Sequence, residues 1–148
     1  MGSDPATLCD FDSGKMVVRL KVMLAADKNA VDPVVQNVMQ IVKEIDCAAG
    51  KEEAVELALT EALANAVLHG AKADVTKIVE CDVACDDHGT MLIIVRDPGN
   101  GFDPAVIPSP ISGQNLYSNC GRGIYLINQL MDEVKFAKNG SEIQMIKR

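Results

Sequence analysis

Tryptophan is absent from this chain, and two Tyr and three Phe are its only aromatic residues among 148. A core made without large rings must be aliphatic, and 48% hydrophobic against 24% charged residues supply one in the proportions of an ordinary globular domain. Long hydrophobic runs are missing as well. No stretch approaches the roughly 18 apolar residues of a membrane span, and the first twenty residues lack the basic start and apolar run of a secretory leader. The expectation is no membrane partner and a cytoplasmic location. Positive charge is scarce: 14 Lys and Arg face 21 Asp and Glu, a net charge of −7, so there is no broad basic field and no direct nucleic-acid partner is expected. Five cysteines, at 9, 47, 81, 85 and 120, are an odd set too sparse for a disulfide scaffold and suit a reducing compartment. Cys81, Cys85 and His88 have a loose metal-site spacing. With Val75, Val79 and Val83, however, the two cysteines share the inward parity of a strand and no fourth ligand lies nearby, which favours packing as small core residues.

The length fits one domain, with residues 1–14 as an N-terminal tail and 15–148 as the folded unit. K-M-V-V-R-L-K-V-M-L at 15–24 alternates as a half-buried strand. Asp32-Pro33 supplies a cap and a first helical residue for a helix over 33–46, and Gly50 separates it from a second helix over 51–70 that Gly70 would cap. Strands follow at 75–85 and 90–97, the second (M-L-I-I-V) apolar on both faces. Residues 98–120 show no periodicity, a helix opens near Gly121–Gly123, and two strands flank the Asn139-Gly140 hairpin signal. The order β, α, α, β, β, loop, α, β, β predicts a two-layer α/β sandwich with a mostly antiparallel sheet and all helices on one face.

Three stretches carry polar residues where packing alone does not ask for them. In E-L-A-L-T-E-A-L-A-N-A-V-L-H-G, Asn65 lies about 40° around the helix from Glu61, so an acidic and an amide side chain share one seam a turn apart. They are either a solvated helix edge or the floor of a pocket, in which a carboxylate orients a hydroxyl and an amide oxygen holds a hard cation. In R-D-P-G-N-G-F-D-P, Asp97 leaves an apolar strand ahead of Gly99 and Gly101: a common strand-exit turn, or an acceptor for an exocyclic amine. In C-G-R-G-I-Y-L-I, Gly121 and Gly123 open a helix whose N–H groups and dipole favour phosphate, with Arg122 either solvated or adding charge.

E-A-L-A-N, D-P-G-N-G-F and G-R-G-I-Y-L-I, in that order, resemble the N, G1 and G2 boxes of the Bergerat-fold (GHKL) ATPases. The wording E-A-L-A-N-A-V-L-H-G and the later G-R-G-I-Y-L-I-N-Q-L-M-D-E-V are similar to the anti-sigma factor serine-protein kinases, over residues 15–147. The resemblance implies ATP and Mg²⁺ as cofactors, Glu61 as general base and Asn65 as ligand of the Mg²⁺ that bridges the phosphates. It implies that Asp97 bonds the adenine amino group and that Gly99 and Gly101 let the base approach. Gly121, Arg122 and Gly123 would meet the phosphates, and residues 103–120 would form the ATP lid. His69, on the same side one turn on, is common in the family, though core packing or a hydrogen bond explains it as well.

As partners the resemblance implies an anti-anti-sigma (STAS-domain) antagonist, a sigma factor and a second copy in a homodimer. The activity implied is transfer of the terminal phosphoryl of ATP to a Ser or Thr of the antagonist. One departure stands out: residues 103–120 hold no Lys or Arg. That leaves a second reading, an ATP-responsive partner-binding module without phosphotransfer.

Overall fold

The structure, a computed structural model, describes residues 16–99 and 119–148. The elements run β1 (Met16–Ala25), α1 (Lys28–Glu44), α2 (Glu52–Asn65), β2 (Ile78–Asp86), β3 (Met91–Arg96), α3 (Asn119–Leu130), β4 (Glu133–Ala137) and β5 (Glu142–Lys147). The strands form one five-stranded sheet in the order β1-β2-β3-β5-β4, and every ladder is antiparallel. The period-two pattern explains the layering. Val79, Cys81 and Val83 of β2, Ile93 and Val95 of β3 and Met145 of β5 point to one face. There they share a core with Val35 and Val38 of α1 and Leu59 and Leu63 of α2. The alternate residues Ala84, Leu92, Ile94 and Ile146 form a smaller buried cluster on the opposite face. β3 is thus apolar on both sides, as its sequence predicts, and the two-layer sandwich is the observed architecture.

Several boundaries differ from the sequence expectation. α1 begins at Lys28, ahead of the Asp32-Pro33 signal, because the Asp27 side chain accepts a 2.9 Å bond from Asn29 N–H and caps the helix there. Pro33 falls inside the helix. Extending the start to Lys28 also brings Val31 into the core. β2 begins at Ile78 rather than 75, leaving Val75 exposed. The second helix is not uniform to Gly70. It is α-helical to Asn65 and then widens into a π-helical turn, Ala66–Gly70, in which Ala71 N–H bonds the Ala66 carbonyl five residues back at 2.8 Å. Lys72 and Ala73 follow in the left-handed region, φ 55° each, at about 1–2 kcal/mol apiece for residues with a Cβ.

The cysteines are a further correction. Cys81 and Cys85 both lie in the core, but Cys85 is disulfide-bonded to Cys47, while Cys81 is a buried free thiol. Spacing did not reveal the pair because folding, not sequence, brings the turn after α1 to the β2–β3 hairpin, where Ala48 N–H bonds the Gly89 carbonyl at 3.0 Å. Burial pushes the Cys81 thiol up to about 12, so it stays protonated. Among the described residues no three His, Cys, Asp or Glu side chains are gathered as a metal set, and no helix is long and apolar enough to cross a membrane.

Candidate functional site

α2 buries Val55, Ala58, Leu59, Ala62 and Leu63, which leaves Glu61 and Asn65 half-buried at the edge of that face. α3 packs over this edge. A Cβ on Gly123 would stand 2.8 Å from Asn65 Nδ2 and 3.1 Å from Glu61 Oε1, so any side chain there would push the ends of these two groups aside. Three residues from two separate sequence boxes therefore meet. Asn65 Nδ2 is buried and, among the described residues, has no hydrogen-bond partner. An unsatisfied buried polar group costs about 1–3 kcal/mol, a cost that marks a place for a missing partner. The amide can answer an acceptor with its NH₂ or, turned over, a hard cation with its oxygen, and the site therefore fits Mg²⁺ chemistry.

The second cluster forms where β3 ends. Asp97 N–H donates to the Ser141 carbonyl at 2.9 Å, which ties the strand exit to the start of β5. Its Oδ1 accepts from Gly99 N–H at 2.8 Å. Burial pushes the Asp97 carboxyl above the ordinary carboxylate range, against the opposing pull of the Gly99 N–H. On the reverse face, Arg96 bonds Asp82 at 2.5 Å and Glu142 at 2.8 Å, fixing the last residue of the strand just before Asp97. Gly70 has another role than the helix cap expected of it, since its φ is not left-handed. A Cβ there would lie 2.5 Å from Asp97 Oδ1 and closer still to Oδ2 and Cγ. Gly99 in turn packs against the Gly70 carbonyl, which a Cβ would strike.

Asn65 and Asp97 line one cleft that is open to solvent. Ala62 and Ala66 give it a floor, Val95, Ile124, Ile127, Phe136 and Ile143 give it apolar walls, and His69, Gly70, Gly140 and Ser141 complete the lining. An apolar slot with few polar groups, here a carboxylate and an amide on α2, suits a flat, amine-bearing ring joined to a polar tail. Glu61 is not in the lining of this slot but stands beyond Asn65, towards Gly123. Gly99 is likewise outside the lining and faces Gly70. His69 lines the cleft and is exposed. Gly101 and the proposed lid up to residue 118 lie outside the described residues, as do the side-chain positions of residues 119–122, which include Gly121 and Arg122 in the first turn of α3. Sequence reasoning missed Gly70, Phe136 and Ser141 as site residues. The inward parity of Phe136 with Val134 was available as a signal; nothing in the sequence marks a backbone contact such as that of Ser141.

A one-sided antiparallel α/β sandwich whose cleft runs from a helical Asn, with a Glu one turn behind it, to a strand-exit Asp is the arrangement of a nucleotide-binding class of domain. The model of the histidine kinase-like ATPase domain family matches residues 24–147, and the chain belongs to that family of ATP-binding domains. No curated protein matches it. Among solved structures, the chain is similar to the RsbU and RsbW domains of Rv1364c from Mycobacterium tuberculosis. That match has 20% identity and a TM-score of 0.62 over 89% of this chain and 32% of that one, and it bears on the fold. The chain spans about a third of that solved chain.

Proposed function

We propose that the protein is a cytoplasmic, ATP-dependent serine-protein kinase of the anti-sigma type, working as a homodimer in a partner-switching system. The observation that carries this reading is the buried, unpartnered Asn65 amide one helical turn from Glu61, with Gly123 of α3 pressed against both. Asp97 accepts from the adenine amino group at one end of the cleft. At the other, the family resemblance would assign Gly121, Arg122 and Gly123 to the phosphates, and Asn65 would hold Mg²⁺, which neutralises phosphate charge. Glu61 takes the proton from the acceptor hydroxyl of a STAS-type antagonist, and phosphorylation changes the antagonist's competition with a sigma factor. Phosphoryl transfer asks mainly for positioning and charge neutralisation, so this small set of groups suffices. Residues 103–120 would close as the lid, and family membership and the ordered boxes support the assignment.

Titration calorimetry with ATP, with and without Mg²⁺, tests the first half. Asn65→Ala should lose the Mg²⁺-dependent part of the affinity, while Glu61→Ala should bind as wild type and transfer nothing. The lack of any Lys or Arg in 103–120 favours a second reading, an ATP-responsive partner-binding module. ATP binding with no phosphate on any Ser or Thr of a candidate antagonist, at stoichiometric protein, would select that reading.

A further inference from the structure

We propose that Gly70, carried by the π-helical turn that follows α2, is the positioning residue of the Asp97 carboxylate and so sets the selectivity of the cleft for an amine-bearing base. The proposal rests on the reading of Asp97 as the base acceptor. A Cβ at Gly70 would stand within 2.5 Å of both carboxylate oxygens and Cγ alike, so the carboxylate lies face-on against the bare Cα. Gly99 N–H holds Oδ1 at 2.8 Å. Gly99 itself is seated on the Gly70 carbonyl. The carboxylate is thus clamped between two glycines that belong to different sequence boxes, with Oδ1 engaged and Oδ2 left without an N–H from Gly99.

The widened turn supplies the reach. In a regular α-helix Gly70 would be drawn in by the bond to residue 66; here the first such bond comes from Ala71, and the extra residue carries Gly70 out to β3. The chain then returns through the left-handed pair Lys72 and Ala73. Strain of this kind persists where the surroundings hold it, and here Ala73 N–H bonds the Val67 carbonyl at 2.7 Å. Gly70 touches no reacting atom. It acts through Asp97.

The test compares ATP with purine riboside triphosphate, which lacks the exocyclic amine, in wild type, Gly70→Ala, Asp97→Ala and the double variant. Wild type should prefer ATP by at least about tenfold, a loss typical of leaving one charge-assisted hydrogen bond unmade. Gly70→Ala should lose that preference while keeping residual affinity for both triphosphates, an outcome that general loosening of the fold would not give. A Gly70→Ala protein that prefers ATP as wild type does overturns the proposal. A wild type that binds both nucleotides equally, or neither, overturns the reading of Asp97 instead. Thermal unfolding of the four proteins without nucleotide covers the case in which Gly70→Ala folds poorly. Removing the carboxylate in the double variant should restore the midpoint lost in Gly70→Ala, and two additive losses would refute the clamp.

Discussion

Gly123→Ala sets two effects of known size against each other. Gly123 lies within α3, where replacing glycine by alanine gains about 1 kcal/mol of helix stability. Overpacking a filled contact costs about 1–3 kcal/mol, and the new methyl would stand 2.8 Å from Asn65 Nδ2, 3.1 Å from Glu61 Oε1 and 3.4 Å from Asn65 Oδ1. All three atoms are ends of side chains rather than backbone, so they can yield by turning away. The two terms then nearly cancel in the unfolding free energy, and the thermal midpoint should move by less than about 4 °C in either direction. Function should not be spared. The amide and carboxylate displaced are the groups proposed to hold Mg²⁺ and the acceptor proton, and misplacing a metal site's supports typically weakens it by about 10–100-fold. Differential scanning fluorimetry and calorimetry with Mg²⁺-ATP read the two effects separately. A Gly123→Ala protein with the full helical gain in stability and wild-type affinity would refute the packing of α3 on the Glu61–Asn65 edge.

Further tests follow from the same geometry. Because burial holds the Asp97 carboxyl above its ordinary value, ATP affinity should fall on acidification earlier than an ordinary carboxylate would dictate; affinity that stays flat in calorimetry as the pH is lowered through the whole carboxylate range would count against Asp97 as acceptor. The same raised value means that the ionised form costs the nucleotide-free fold stability as pH rises through it. Asp97→Asn should therefore be more stable than wild type at pH 7 in urea unfolding, and bind ATP weakly at every pH. Opening the Cys47–Cys85 link, 38 residues apart, should cost about 3–4 kcal/mol by loop entropy. Alkylation with mass spectrometry should find Cys47 and Cys85 protected until reduction, and equal labelling before and after would contradict the pairing. Ala73→Gly relieves a left-handed φ of 55° and should stabilise by about 0.5–1 kcal/mol once glycine's greater chain entropy is subtracted; a loss of stability in urea would show that the methyl packs.

Those parts of the structure that depend on a repeating pattern were legible in the chain. The alternation in β1 and β2, the doubly apolar M-L-I-I-V and the Asn-Gly turn gave the sandwich and its order, and a turn's spacing correctly put Glu61 beside Asn65. Failures occurred where one local signal competed with another. Asp32-Pro33 is a good start for a helix, but Asp27 is also a good cap and the longer helix buries Val31. Gly70 ends a run of helix formers, which reads as a cap, whereas its lack of a side chain serves a contact with Asp97 across the fold. Gly99 has a contact that its place in the turn did not announce, against the Gly70 carbonyl. The Cys47–Cys85 bond and the Ser141 carbonyl belong to tertiary structure alone, and no spacing announces them.

β3 pairs with β5, residues 91–96 with 142–147, and everything between them in the chain must be threaded before that ladder closes. Asp97 and Ser141 meet only when it does. On the ribosome, the most apolar strand of the sheet is therefore made early and waits with one edge unpaired, a state prone to mispairing until β5 arrives. The Asp97 end of the cleft depends on that closure. A ligand bound there favours molecules in which the sheet is complete, so ATP binding would report on closure of the β3–β5 ladder.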